Sequence, residues 1–410
     1  MESLPIPDEL LAEIFLRLTA PADLARASAT CVSFRRVAAD RAFLRRYRKL
    51  HAPPLLGFLD TRRVFHPDAP PHPSAPAANA SALAADFSFS FLPAAGWAVQ
   101  DVCDGRVLLG KSRKRNVDGG RRYSEVLPEM VVCDPLHRRY LLLPLIPDDL
   151  AASVENQCCC CETFLVPFEE DQTSFSVIWM VHCTTKLFAA IFSSSTGKWR
   201  TISSQNWAGL FAGLRLSTGT ILFTCRQYVD GCFYWVVGWK EKLLVLDTRR
   251  MEFSIADPPP EAKGHCYLDI GVVEAEEGGP GVFVYTHITA DLSYYTLRHD
   301  IGGSSSKWHK EKTVSLGSSY IFIGSTGSYL LFFLDHWGSS ALEKGCFAFT
   351  LDAKTLQLEE VLRKAPRRKY WNKAQGRCKL KSLLIGITMR LDDADAGLQA
   401  GVLGTVDGAD

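Results

Sequence analysis

Four adjacent thiols, Cys158-Cys159-Cys160-Cys161, are the residues in this chain whose type points most directly to chemistry. Thiolates bind zinc, and His182 and Cys183 lie downstream to complete a four-ligand set with Cys158 and Cys161. Neighbouring side chains of an extended chain cannot all turn toward one ion, and no second Cys-x-x-Cys pair exists. The set closes only if a long loop folds back, so a cysteine-rich loop is the expectation and no metal is assigned. Other candidates are weaker. His182, His265, His287 and His336 sit in or beside apolar runs, where a histidine is more often a packing or surface residue than a base. Gly302-Gly303-Ser304-Ser305-Ser306 lacks the Lys-Ser/Thr ending and following helix of a phosphate loop. Gly-x-Ser-x-Gly, His-Glu-x-x-His and dinucleotide fingerprints are all missing from the sequence. No cofactor is expected, and the chain reads as non-catalytic.

Two basic stretches could do recognition rather than catalysis. One runs from Lys111 to Arg122. The other runs from Arg363 to Lys381 and includes Arg367, Arg368, Lys369 and Lys373, with Tyr370 and Trp371 among them. Such clusters serve as nuclear-import addresses or as docking sites for acidic targets, but more often are solvated loops, the reading favoured here.

The elements that must position any site begin with helices. Leu10, Ile14 and Leu18 recur every four residues, with Leu11 and Phe15 in the adjacent row, which predicts one broad apolar stripe on a helix. Pro7 suits the first turn, and Asp8 and Glu9 complement the positive end of the helix dipole. Ala20-Pro21 is expected to break this helix, and Asp23 to Ala29 to start a second one with Leu24 and Ala27 inward. Further amphipathic stretches run from about Ser33 and from Asp40 to Leu50. A unit this small buries little surface by itself, leaving large apolar residues available to a partner.

These residues resemble the F-box, the motif that docks onto the Skp-family adaptor of cullin–RING ubiquitin ligases. The resemblance is carried by Ile6-Pro7, then Asp8-Glu9-Leu10-Leu11, the Ile14 and Leu18 stripe, Asp23-Leu24, and Cys31-Val32-Ser33-Phe34-Arg35, where Phe34 stands in place of the family's tryptophan. It implies that Ile6, Pro7, Leu10, Leu11, Ile14, Phe15, Leu18, Leu24, Val32 and Phe34 contact the adaptor.

Composition bounds the rest. A chain of 410 residues holds two or more domains, and 47% hydrophobic content with 11% aromatic argues for packed globular bodies. A net charge of +1 gives no global bias toward nucleic acid or an anionic membrane, so neither is expected as a partner. The longest apolar runs, such as Tyr329 to Leu334, are too short to span a bilayer. No signal peptide is visible, and 13 scattered cysteines suit free thiols, so the expected location is the cytoplasm, the nucleus or both.

Residues 67 to 86, rich in Pro and Ala, read as an unstructured loop. Beyond them short strands recur as hairpins, at Met130 to Pro144, Leu187 to Trp199, Leu243 to Phe253, Tyr294 to Trp308 and Cys346 to Leu358. With Asp134, Ser194, Asp247, Asp300 and Asp352 as landmarks, the gaps are about 60, 53, 53 and 52 residues, close to the roughly 50 of kelch-type propeller repeats. An Asp or Ser fits a turn because its short side chain bonds its own backbone. Another apolar run precedes each hairpin, giving four strands per repeat, the content of a propeller blade. Five repeats are visible. A sixth is expected from Ser382 to Ile387 at one end and Leu55 to Leu59 with Val64-Phe65, or Phe87 to Leu92, at the other.

The expected architecture is therefore α+β and multidomain: an F-box helical bundle followed by an all-β propeller-like domain of about five to six kelch-like blades. The expected divisions are residues 1–50 for the bundle, 51–95 for a linker with ring-closing strands, 96–390 for the propeller and 391–410 for an acidic tail. An F-box followed by such repeats resembles the large plant class of F-box proteins with propeller-like associated domains. That resemblance implies a substrate-receptor subunit, bound through the adaptor to cullin and RING subunits and holding an unidentified protein target. The rival expectations are a propeller enzyme or glycan-binding module with a helical cap, and an adaptor-bound scaffold that ubiquitinates nothing.

Overall fold

The computed structural model describes residues 6–18, 21–51, 55–60, 63–68, 70, 74–111, 128–154, 158–167, 174–183, 185–211, 226–237, 242–263, 268–299, 306–326, 328–334, 346–365 and 384–388. Four helices come first: α1 (Asp8–Phe15), α2 (Pro21–Thr30), α3 (Val32–Ala38) and α4 (Arg41–Leu50). α1 stops at Phe15, short of the expected Leu18. Pro21 does not break it but opens α2, where a missing N–H would have had no partner anyway. The Cys31 sulfur caps α3, accepting from the Phe34 N–H at 3.4 Å, and the Asp40 carboxylate caps α4, accepting from the Phe43 N–H at 2.8 Å. Leu11, Phe15, Leu16, Leu24, Val37, Phe43, Leu44 and Tyr47 form a closed core of their own, with the Phe34 ring edge-on to Phe15 at 5.2 Å. The Tyr47 hydroxyl donates to the Leu18 carbonyl at 2.7 Å, and burial pushes its pKa up to about 12, so it stays a neutral donor.

All the rest is sheet with short helical connections. β1 (Leu55–Asp60) and β2 (Phe65–Pro67) precede five antiparallel sheets of four strands each. Blade 1 is β3 (Ala98–Cys103), β4 (Arg106–Lys111), β5 (Glu129–Asp134) and β6 (Arg139–Leu142). Blade 2 is β7 (Cys158–Val166), β8 (Ser176–Cys183), β9 (Lys186–Ser193) and β10 (Lys198–Asn206). Blade 3 is β11 (Gln227–Val229), β12 (Cys232–Val237), β13 (Lys242–Asp247) and β14 (Glu252–Ala256). Blade 4 is β15 (Leu268–Glu274), β16 (Pro280–Thr286), β17 (Asp291–His299) and β18 (Ser306–Ser315). Blade 5 is β19 (Tyr320–Thr326), β20 (Tyr329–Leu334), β21 (Cys346–Asp352) and β22 (Leu358–Ala365). The first strand of each blade lies innermost: β3 approaches β7, and β11, β15 and β19 approach one another. This is a five-bladed propeller.

The apolar runs of the middle strands follow from burial on both faces. In β12, Phe233, Trp235 and Val237 pack on blade 2, while Tyr234 and Val236 pack on blade 4. In β5, Met130 and Val132 face blade 2, while Val131 and Cys133 face the opposite way. Period-two alternation thus sends successive side chains to different neighbours, so few positions on these strands are polar, His182, Ser293 and Thr350 being buried exceptions. Outer strands are tied by a repeated device. Trp199 donates its indole N–H to the Pro144 carbonyl at 3.0 Å, and Trp308 does the same to the Asp257 carbonyl at 2.9 Å.

The landmark aspartates hold the outer hairpins. The Asp247 carboxylate accepts from the N–H groups of Arg249 and Arg250, and the Asp352 carboxylate from those of Lys354 and Thr355. Four residues after each landmark the backbone turns left-handed, at Arg138, Met251 and Leu356. In blade 2 the matching left-handed residue is Gly197, which makes Ser193 the equivalent landmark rather than Ser194. Asp300 lies outside the described residues.

A sixth, three-stranded sheet joins the two ends of the propeller, in the order β2-β1-β23, with β23 (Leu384–Thr388) antiparallel to β1 and beside β3. Leu56 and Leu59 of this sheet pack against Val99, Val107, Leu109 and Val131 of blade 1. Part of the stretch expected to be an unstructured loop is instead helix α5 (Ala75–Ala84). Alanine is the strongest helix former, and Ala75 and Ala78 are small enough to bury against β1 and β2.

Two outcomes are expected. A chain ending before Leu384 leaves β1 paired only with the short β2, and should melt several degrees lower, with amide exchange in β1 raised by orders of magnitude. Asp68, buried at the end of β2, is pushed up to about 7 by burial and by the charge of Glu359. A folded-state pKa above the unfolded one contributes stability that is present at acidic pH and lost as pH rises through about 7. Asp68→Asn should therefore flatten the pH dependence of denaturant midpoints between pH 4 and 7.

Candidate functional site: an apolar helix face and a charged axis

Helix α1 divides its apolar residues between two faces. Leu11 and Phe15 point into the bundle at 2% and 3% exposure, as does Leu24 of α2 at 3%. Leu10 and Ile14 follow one another at four-residue spacing on the other face, at 56% and 50% exposure, and Ile6, ahead of the helix, is 38% exposed. Val32, at the start of α3, is 72% exposed, and Pro7 is exposed before α1. Leu18 and Phe34 are half-buried against the core. The single broad stripe read from the sequence is therefore two rows with different jobs. Leu11, Phe15 and Leu24 are covered by the chain's own helices, because three short helices around α1 need its second row to close any core at all. What remains open is Ile6, Leu10, Ile14 and Val32. Arg36 of α3 braces α1 through a two-pronged bridge to Asp8, at 2.7 and 2.9 Å, and Arg46 of α4 through Glu13 at 2.6 Å.

A scan of family models matches residues 5–49 to the F-box-like model. Residues 5–49 are an F-box-like domain. F-box domains in general bind Skp-family adaptors, and the face left open on this one is apolar. No curated protein matches the chain. Solved structures similar to the F-box chain's body include an oligogalacturonate lyase from Vibrio parahaemolyticus (11% identity, 70% of this chain and 71% of that one, TM-score 0.37). They also include the periplasmic gluconolactonase of Pseudomonas aeruginosa (10% identity, 68% and 76%, TM-score 0.35) and the Aleuria aurantia lectin bound to a fucosyl-GlcNAc (10% identity, 65% and 76%, TM-score 0.34). At these scores the likenesses carry no inference about activity.

The second concentration of chemistry lies where the inner strands converge. Arg226, one residue before β11, places its guanidinium between Asp101 of β3, at 2.6 Å, and Glu162 of β7. Asp101 also accepts the Leu165 N–H at 2.8 Å, and Glu162 accepts the Trp235 indole N–H at 3.1 Å. The Phe164 ring lies under the guanidinium, 4.3 Å from its centre. Burial pushes the Asp101 carboxyl up to about 6 against the pull of Arg226, so it is ionised at neutral pH. Burial opposes the charge on Arg226, but Asp101 and Glu162 outweigh it and raise its pKa. Next to it, the Gln227 side chain donates to the Ile270 carbonyl at 3.1 Å and accepts from the Val272 N–H, while the Ser325 hydroxyl lies 2.8 Å from its amide oxygen.

Sequence reasoning missed this cluster, since 64 residues separate Glu162 from Arg226 and 125 separate Asp101 from it. The usable signal was a charged residue in or beside the first strand of three successive repeats. The chemistry expected elsewhere sorts differently. Cys158 to Cys161 are not a loop but the first half of β7, with Cys158 opposite Cys183 and Cys160 opposite His182. Among the described residues no group of three or more His, Cys, Asp or Glu side chains is placed to hold a metal. His182 is buried, which drops its pKa to about 3 and keeps its ring neutral. His287 sits 2.8 Å from Asp269. His265, His336, Gly302 to Ser305 and the basic cluster of Arg367, Arg368, Lys369 and Lys373 lie outside the described residues, while Ser306 opens β18. No helix among the described residues is long and apolar enough to cross a membrane.

Arg226→Met should cost about 3–5 kcal/mol of stability, because it strands two buried carboxylates. Part of that loss should return at pH 5, as the carboxylates take up protons, and urea midpoints at pH 5 and 8 measure both effects.

Proposed function

We propose that this protein is the substrate-receptor subunit of a cullin–RING ubiquitin ligase of the SCF type. The F-box docks on a Skp-family adaptor, which links the chain to the cullin and RING subunits, and the propeller holds a protein target. The observation that carries this reading is the apolar row Ile6, Leu10 and Ile14, left open on a module whose own core is already closed without it. Open Leu and Ile side chains on a rigid helix are the kind of residue that supplies an interface core, each worth roughly 1.5–3 kcal/mol once covered. Leu11, Phe15 and Leu24 then support the row from behind, and the half-buried Phe34 packs edge-on to Phe15. Ubiquitin transfer belongs to a conjugating enzyme on the RING subunit. This chain contributes proximity, raising the effective concentration of target lysines. The cytoplasm or nucleus is the compartment in which such an assembly works.

The axial carboxylates are the feature that favours the rival reading of a propeller enzyme. Glycoside hydrolysis needs one carboxyl to donate a proton and one to attack or activate water. Here Asp101 and Glu162 share one guanidinium, and Asp101 takes a backbone N–H as well, an arrangement that suits a structural clamp better than an acid–base pair.

The test separates face from core. Leu10→Asp with Ile14→Asp should lower adaptor affinity by more than about a hundredfold, with an unchanged melting temperature. Leu11→Asp should instead unfold the F-box, lowering helical signal and adaptor binding together. Full adaptor binding by the Leu10/Ile14 double variant in a titration would overturn the assignment.

A further inference from the structure

We infer that the outer edge of blade 1 is a docking site for an extended apolar peptide, which adds as a fifth strand alongside β6. The inference deepens the receptor reading and rests on it, since it gives the propeller a surface for a target segment.

β6 ends its sheet, so its outer edge pairs with no described strand. Its residues are all exposed, and three of the four are large and apolar: Tyr140, Leu141 and Leu142, joined after the strand by Leu145, lie between 43% and 50% exposed. The other outer strands provide an internal comparison. β10 carries Lys198 and Arg200, β14 carries Glu252, β18 carries Lys307, Lys310 and Lys312, and β22 carries Glu359 and Glu360. Charges along an edge are the ordinary device against unwanted pairing. β6 and β14 each have a charge only at the first residue, Arg139 and Glu252, but β14 buries Phe253 whereas every residue of β6 is exposed. An open edge with apolar side chains on both faces is what strand addition requires: backbone groups give affinity and alternate side chains give selection. The surface is also held rigid from behind. Tyr140 stacks on Phe91 at 6.3 Å, and the carbonyl of Pro144, just beyond the strand, is fixed by Trp199.

Size and charge choose the occupant. A stable dimer buries about 20–30 residues a side. Four strand residues and Leu145 are far too few for a second copy of this chain, but match a short peptide. Arg138 and Arg139 lie exposed at one end of the apolar run and Asp148 and Asp149 at the other. The fitting peptide therefore has alternating apolar residues between an acidic end and a basic end.

Selection of a phage-displayed library of random nine-residue peptides against the full chain tests this directly. Enriched peptides should alternate apolar residues with opposite charges at their ends. Synthetic versions should protect the amides of residues 139–142 from exchange, and Leu141→Lys should weaken them by at least about tenfold. Methylation of alternate peptide nitrogens should abolish binding, because it removes the strand-pairing donors. The inference is overturned if no peptide is enriched, if the enriched peptides bind Leu141→Lys as well as the parent, or if the chain self-associates through this edge. Adaptor titration on the same preparations reads the F-box separately, so failure of the receptor reading leaves a distinct signature: peptide binding retained with adaptor binding absent.

Discussion

Two consecutive residues hold the middle of this molecule together. Arg226 reaches the inner strands of blades 1 and 2, and Gln227 reaches those of blades 4 and 5, directly at Ile270 and Val272 and through Ser325. Both project from the start of blade 3, so one short strand touches every other blade. The ring depends on this because inner strands of a propeller meet as edges, not as faces. The apolar packing that joins neighbouring blades lies further out, and the converging backbones must satisfy their polar groups with whatever side chains reach them. A single cation compensated by two carboxylates and supported by an aromatic face does this without stranding a charge.

Around that centre the energetics are those of stacked sheets. The middle strands are mostly apolar because each serves two interfaces at once. Phe233 and Tyr234 are neighbours in sequence yet belong to different hydrophobic cores. The F-box is built on the opposite economy. Its core is small, and it keeps the second row of α1 out of that core. One part of the chain therefore buries most of the large side chains in its middle strands, while the other leaves Leu10 and Ile14 in water.

Much of this was legible beforehand. The hairpins were visible because turn chemistry and period-two runs are local: Asp247 and Asp352 announce their turns within four residues. The ring-closing sheet was legible from unpaired apolar runs left over at both ends. What stayed hidden depends on distance in the chain. Nothing local marks Asp101, Glu162 and Arg226 as neighbours, and nothing in a helical pattern tells which of two adjacent apolar rows will face inward. Leu11 and Leu10 differ only in which side the other helices occupy. Ala75 to Ala84 was misread for the reverse reason, since a segment without large side chains can still form a helix when a neighbouring sheet gives it a surface to lie on.

The pairing of Leu55 with Thr388 also sets the order in which the protein can mature on the ribosome. β1 emerges before the five blades, whereas the strand that completes its sheet is made after them. Throughout translation of the five blades, β1 waits with an open edge and with Leu56 and Leu59 in search of cover. The nascent chain is thus open to misassembly at β1 until β23, on the far side of all five blades, has been made.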